Sequence, residues 1–261
     1  MTDMEGVAGV AQRRACRPAP LGSDVDYERS RELLTLEVAA SVEGALKAGA
    51  DEVVVADGHR GGGNFIPELL PANGRYVIGK GKPKPVSGLD SSFDGVMLLG
   101  YHSMSNSGGH LCHTMDPDKW DRYFVNGTEI GEIGLVSLAA GGYNVPVWIV
   151  TGGSYACEEA TNLLGDGLVT ARVKEDLSYE SCVSMSPSEA RDVIRRTVTQ
   201  TIEAPPSLTP FSLNVPMTCR LEFRSVEDAD TSGIAGHLRV DEKAFEYLSD
   251  SPWGYMPRDW K

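Results

Sequence analysis

Apolar and polar positions along this chain follow two periods. Residues 27–48 (YERSRELLTLEVAASVEGALKA) carry Leu34, Val38, Val42 and Ala45 on one stripe with charges opposite and Gly49 as a stop, which predicts a helix. The run EVVVADGH at 52–59 reads as a buried strand ending in a turn. VMLLGYH at 96–102 repeats that design, and VPVWIV at 145–150 supplies a third apolar strand. Helices are predicted over 131–141 and 155–164, a strand over 168–173, and a helix over 187–203 opened by Ser186-Pro187. A strand at 217–224 and a last helix near 241–249 complete the order. Apolar strands alternating with helices predict an α/β fold, a mostly parallel sheet with helices on both faces. Residues 1–250 read as one domain, with PPSLTP at 205–210 as the candidate joint to a smaller C-terminal subdomain and 251–261 as an aromatic tail.

Composition narrows the classes of partner. Lysines and arginines number 24 against 37 acids, a net charge of -13. That balance argues against nucleic acid and against anionic membrane surfaces. No stretch approaches the ~20 apolar residues of a membrane span, and no basic-then-apolar leader opens the chain. Cys16, Cys112, Cys157, Cys182 and Cys219 are odd in number, widely spaced and free of any CxxC, so they read as reduced thiols of a cytoplasmic protein.

Candidate chemistry gathers at the predicted strand ends. His59 follows VVVAD and His102 follows VMLLGY, each just past the C-terminal end of a buried strand, where open α/β sheets bind ligands. DMEG at 3–6 places Asp3 and Glu5 two residues apart. On a strand such residues share a side, and Gly6 then permits a turn. If that strand joins the same sheet, two carboxylates and two imidazoles converge on one edge, a set that suits Zn²⁺. In GEIGLVSLAAGG, Glu132 shares the helix face of Leu135, Val136 and Ala139. A carboxylate on a buried face is costly unless paired or bound to metal. Five N/O ligands exceed one tetrahedral ion with an open position but suffice for two, with Asp3 as the expected bridge. A two-metal centre activates a water and polarises an acyl or phosphoryl oxygen.

The set DMEG at 3–6, DGH at 57–59, LGYH at 99–102, HTM at 113–115 and GEIGL at 131–135 resembles the zinc-dependent D-aminopeptidase family, in order and spacing, over residues 1 to about 200. The resemblance implies two Zn²⁺ per chain and an exopeptidase that removes an N-terminal D-residue, commonly D-alanine, from a small peptide or amide. It places Asp3, Glu5, His59, His102 and Glu132 on the metal ligands and His113 on the catalytic histidine. It also implies a homo-oligomer, a ring-shaped decamer with the active sites facing an inner chamber. Asn126 aligns with an asparagine that the family carries before its GE motif and is expected to line the pocket. By the residues alone, His110 and His113 could equally be solvated members of a glycine-rich loop, SNSGGHLCH.

The chain also departs from the family. Only Met1 and Thr2 precede the acidic motif, where relatives carry several more residues. Gly152-Gly153-Ser154 stands where relatives have Gly-Asp-Asp, and Tyr179 where they have arginine. Gly153, Ser154 and Tyr179 are therefore expected at substrate or at a neighbouring subunit. GHRGGGN at 58–64 lacks the order of a dinucleotide loop, KGKPKP at 80–85 reads as a solvated basic loop, and Cys112 beside His113 lacks a third group to make a nucleophile pair. The tail SPWGYMPRDWK is aromatic-rich and is expected at a subunit contact. Two other functions fit the same pattern: an amidase of this machinery acting on a non-peptide metabolite, and a binding module that has lost its metals.

Overall fold

The computed structural model describes residues 1–80, 86–232, 237–251 and 253–254. In chain order the strands are β1 (Val54–Ala56), β2 (Arg75–Val77), β3 (Val96–Tyr101), β4 (Trp120–Val125), β5 (Thr128–Glu129), β6 (Val147–Gly153), β7 (Val169–Ser178), β8 (Ser181–Ser184), β9 (Met217–Phe223), β10 (Leu238–Asp241) and β11 (Ala244–Ser249). The helices are α1 (Asp24–Lys47), α2 (Glu132–Gly141), α3 (Ser154–Leu164), α4 (Pro187–Glu203) and α5 (Val226–Ser232). Most of the predicted elements form, within a few residues of the expected ends. α1 begins where Ser23 Oγ accepts from Asp26 N–H and stops at Gly49 in the left-handed region. α4 begins at Ser186 with proline in its first turn.

β3, β6 and β7 run parallel, with β8 antiparallel at the edge, and β1 pairs in parallel with β2. The N-terminus stitches the two groups together. Thr2 bridges in parallel to Asp57 on one side and Leu99 on the other. Thr2 N–H donates to Ala56 C=O (3.1 Å) and Asp3 N–H to Leu99 C=O (2.8 Å). The expected first strand is thus a single bridging residue, and the chain turns from Met4 onward. Gly6 is required there, because a Cβ on it would sit 2.1 Å from Tyr101 O. The acids of DMEG come to one place by this turn, not by strand alternation.

Alternation along the central strands sorts their side chains to two cores. Leu99 and Ile149 join the cluster of Leu34, Val38, Val42, Ala190, Ile194 and Val198, beneath α1 and α4. Leu98 and Val150 join the opposite cluster, with Ile133, Leu138, Ala156 and Ala160 of α2 and α3. A second, antiparallel sheet of order β10-β11-β9-β4-β5 adds Trp120, Tyr123, Met217, Leu221 and Phe223 to that core. β4 comes from mid-chain, so this sheet is not made of C-terminal residues alone. Residues 204–216, which include 205–210, cross to it without regular structure.

The expected helix at 241–249 is corrected to strand β11, antiparallel to β9 from Ala244↔Glu222 to Ser249↔Met217. The local sequence favours neither state strongly, and the open edge of β9 decides it. Residues 81–85 of the basic loop and 252 and 255–261 of the tail lie outside the described residues. Trp253 docks on its own domain, its Nε1–H donating to Ala139 C=O (3.3 Å) beside the Tyr143 ring. No helix among the described residues is long and apolar enough to cross a membrane.

Candidate metal centre

Three backbone segments end side by side at the C-terminal edge of the parallel sheet, and each delivers part of the cluster. Thr2 is followed by Asp3 and Glu5, β1 by His59, and β3 by His102. The loop that carries His59 is folded around Asp57. This fully buried carboxylate accepts from Gly63 N–H, Asn64 N–H and Asn64 Nδ2, each at 2.7 Å, while Asn64 Nδ2 also donates to His59 C=O at 2.7 Å. Glu132 opens α2, and the loop after β3 returns His113 over His102.

The expected ligands meet. Asp3 Oδ1 lies 3.1 Å from His59 Nδ1, and Asp3 Oδ2 lies 3.2 Å from His102 Nε2. Glu5 Oε2 is also 3.1 Å from His59 Nδ1. Glu132 Oε1 is 3.3 Å from His102 Nε2 and 3.6 Å from His113 Nε2, and it accepts from Met115 N–H at 2.9 Å. The rings of His102 and His113 are stacked, with centroids 3.9 Å apart. Two overlapping sets bring one ligand atom per residue within 4.8 Å of one another: Asp3, Glu5 and His102, and His102, His113 and Glu132.

Each imidazole also has its far nitrogen at a main-chain carbonyl. His59 Nε2 lies 2.7 Å from Cys16 O, His102 Nδ1 2.9 Å from Ser103 O, and His113 Nδ1 2.8 Å from Leu111 O. A carbonyl only accepts, so these nitrogens carry hydrogens, and the opposite nitrogen of each ring, which faces the carboxylates, is the one free to exchange its proton for a metal. This is the arrangement by which outer contacts orient metal-binding histidines.

Burial and mutual charge set the electrostatics. Burial, reinforced by the Glu5 charge, pushes Asp3 up to about 7. Burial acts the same way on Glu132, but His102 overrides it and holds that carboxyl at about 2. Burial lowers His59 and His102, yet Glu5 and Glu132 respectively carry them well above the usual imidazole value. His113 is pushed down, by burial first and then by His102. Three buried atoms at the centre, Asp3 Oδ2, Glu5 Oε2 and His102 Nε2, make no well-aligned hydrogen bond, although imidazole nitrogens and carboxylate oxygens lie 3.1 to 3.3 Å away. Native proteins rarely leave such atoms unsatisfied, and a cation among two carboxylates and an imidazole is the group that satisfies all three. The residues fit zinc, whose protein ligands are N, O and S.

The cluster opens into a cleft of about 790 Å³ whose wall includes Arg13, Arg17, Arg60, Asp116, Asp118 and Tyr179. Tyr179 is the one expected substrate residue on that wall. Asn126 is instead a hairpin residue: with φ 50 and Gly127 at φ 78 it turns β4 into β5, and its amide ties Asn214 C=O and Thr218 N–H at 2.8 Å each. Gly153 and Ser154 join β6 to α3. A Cβ on Gly153 would meet the Asp176 carboxylate, and Ser154 Oγ accepts from Asp176 N–H at 3.0 Å. These three lie off the cleft of their own chain.

Sequence reasoning missed two buried charges that hold the N-terminal turn. Lys174 donates to Glu5 C=O (2.6 Å) and Val10 C=O, and Glu37 accepts from Ala8 N–H at 2.9 Å. Glu37 had a signal, an acid amid the apolar stripe of α1. Lys174 had none in the pattern: a shift in the β6–β7 register turns Val173 and Lys174 both inward.

The chain is similar to known proteins over nearly all of its length. A family model described as D-aminopeptidase matches residues 1–256. The chain is similar to a D-aminopeptidase of Bacillus subtilis, at 29% identity over 238 residues, covering 89% of this chain and 83% of that protein. It is also similar to a solved structure described as a zinc-dependent D-aminopeptidase from Bacillus subtilis and a self-compartmentalizing protease. That likeness has a TM-score of 0.89 at 26% identity, over 97% of this chain and 91% of the other. With its fold, its cluster and a family model spanning nearly all of its length, the chain belongs to the D-aminopeptidase family of peptidases.

Proposed function

We propose that the chain is a two-zinc exopeptidase that removes an N-terminal D-residue, D-alanine above all, from small peptides. One observation carries the two-metal reading: the two oxygens of Asp3 face different histidines, His59 and His102, so this carboxylate would be available to both ions. Glu5 and His59 would complete one site, and His102 and Glu132 the other. When bound, zinc supplies Lewis acidity toward the scissile carbonyl and makes water acidic enough to attack near neutral pH.

The residues of the chain do the remaining work. The carbonyls of Cys16 and Ser103 fix the tautomers of His59 and His102, and the loop around Asp57 fixes the position of His59. His113 is held below the usual imidazole value by burial and then by the His102 charge, which favours its neutral form. Its Nδ1–H is committed to Leu111 C=O, so Nε2 is the atom that takes a proton and passes it to the leaving amine. Preference for D-residues is supported by family membership. The similarity to a self-compartmentalizing protease supports a closed homo-oligomer, a ring of ten in this reading. Five free cysteines suit a reducing cytoplasm.

Rates on D-alanyl and L-alanyl amides measured side by side test the substrate. Faster D-cleavage is expected. Faster L-cleavage, or inertness toward both, contradicts the reading and favours an amidase of non-peptide substrates.

A further inference from the structure

Three guanidinium groups line the cleft, those of Arg13, Arg17 and Arg60. Two are already engaged, since Arg13 and Arg17 share the Asp118 carboxylate, with Arg17 Nη1 3.2 Å from Oδ2. Arg60 differs. It is exposed, and no carboxylate pairs with it among the described residues. Its backbone is left-handed, at φ 48 and ψ 31, the region that favours glycine. Gly61, Gly62 and Gly63 follow it, all with positive φ, so this loop uses glycine freely where conformation alone matters. A residue other than glycine persists in such a backbone conformation where its surroundings over-determine it. Here Gly61 N–H donates to Gly58 C=O (3.2 Å), Gly62 N–H to His59 C=O (2.9 Å), and Asn64 Nδ2 to the same His59 carbonyl. These bonds hold Arg60 on the cleft wall, one residue from His59.

The position has a chemical consequence. A peptide whose scissile carbonyl sits at the cluster has its leaving portion in the same cleft, which Asp3, Glu5, Glu132 and Arg60 all line. In a dipeptide that portion ends in a carboxylate about one residue, ~3.5 Å of chain, beyond the bond to be cut. So near three acids a carboxylate is repelled unless a cation meets it. A guanidinium binds a carboxylate through two parallel hydrogen bonds, and Arg60 is the one in the cleft left for that purpose.

We propose that Arg60 is a specificity-determining residue that binds the C-terminal carboxylate of a dipeptide, so that the chain prefers dipeptide acids to the corresponding amides. This rests on the exopeptidase reading above. The test compares kcat/KM for D-alanyl-glycine and D-alanyl-glycinamide in the full-length metal-loaded protein and in three variants. The wild type is expected to favour the acid by roughly tenfold or more, mainly through KM. Arg60→Gln should erase that advantage, and Arg60→Lys should keep part of it, since an ammonium lacks the planar fork. Arg60→Gly removes the charge while relaxing the backbone, so it too should lose the preference if charge is the cause. Equal rates on acid and amide in the wild type, or a preference that survives in Arg60→Gln or Arg60→Gly, overturns the proposal and leaves the exopeptidase reading standing. Inertness of the wild type toward both substrates overturns that reading and the proposal with it.

Discussion

The imidazole of His113 lies flat on that of His102, with planes within 10° and centroids 3.9 Å apart, while its Nε2 faces the Glu132 carboxylate shared by both rings. His113 could use that nitrogen on a metal or on a proton, and substitution separates the two. His113→Ala is expected to cut turnover by roughly 10²–10⁴ with metal content unchanged, the usual worth of a positioned proton-transfer group. Loss of metal in step with rate would make His113 a ligand.

Asp3 is the hinge of the cluster. Asp3→Ala is expected to release both ions and abolish turnover, whereas His59→Ala and His102→Ala should each weaken one ion more than the other. Metal analysis after dialysis decides, and an Asp3→Ala protein that keeps one ion at full affinity rules out the bridge.

Lys174 acts on Glu5 through the main chain. In Lys174→Met the carbonyls of Glu5 and Val10 lose their buried donor. A loss of about 2–5 kcal/mol in stability is expected, together with weaker metal retention. Thermal melts and metal content of the dialysed variant check both, and a variant matching the wild type in both shows that the turn holds itself.

Glu37 gives the turn a pH dependence. Burial pushes its carboxyl from 4.5 up to about 7, against the pull of its bond from Ala8 N–H. Between those values the folded protein keeps a proton that the unfolded chain releases. The stabilising contribution is therefore complete below about pH 4.5 and lost as pH rises through about 7, a span worth about 3 kcal/mol. Glu37→Gln keeps the acceptor and cannot ionise, so urea curves should show it gaining on the wild type from pH 5 to pH 8. Parallel curves at both pH values would show that Glu37 does not set the pH dependence.

Assembly is open to light scattering. The intact chain is expected to be larger than a dimer. A chain ending at Ser249 should form smaller assemblies if the tail lies at a subunit contact. A monomeric mass for the intact protein removes the chamber, and an unchanged large mass after truncation retires the tail.

Much of this was legible in the sequence, for reasons that particular residues show. The helix at 27–48 and the strands before His59 and His102 carry strong periodicity, and tertiary packing had nothing to overrule. At 241–249 the periodicity was weak, and pairing with β9 decided for a strand. β4 and β5 went unpredicted although Asn126-Gly127, a common hairpin pair, stood between WDRYFV and TE. Reading that pair as a turn would also have kept Asn126 out of the pocket. Of the five residues expected as ligands, His59 and His102 follow strands and Glu132 opens a helix, placements that local elements dictate, whereas Asp3 and Glu5 reach the cluster by the turn at Gly6 and not by the strand expected of them. Lys174 and Arg60 escaped because a register shift and a left-handed backbone leave no periodic trace.

On the proposed reading, the Asp3, Glu5, His59, His102 and Glu132 cluster holds a pair of metal ions. Native mass spectrometry of the purified protein, with elemental analysis of the same sample, counts them directly. About two zinc ions per chain are expected, removed by chelation together with activity and restored with it on adding zinc. A metal-free protein with full activity would rule out the metal centre.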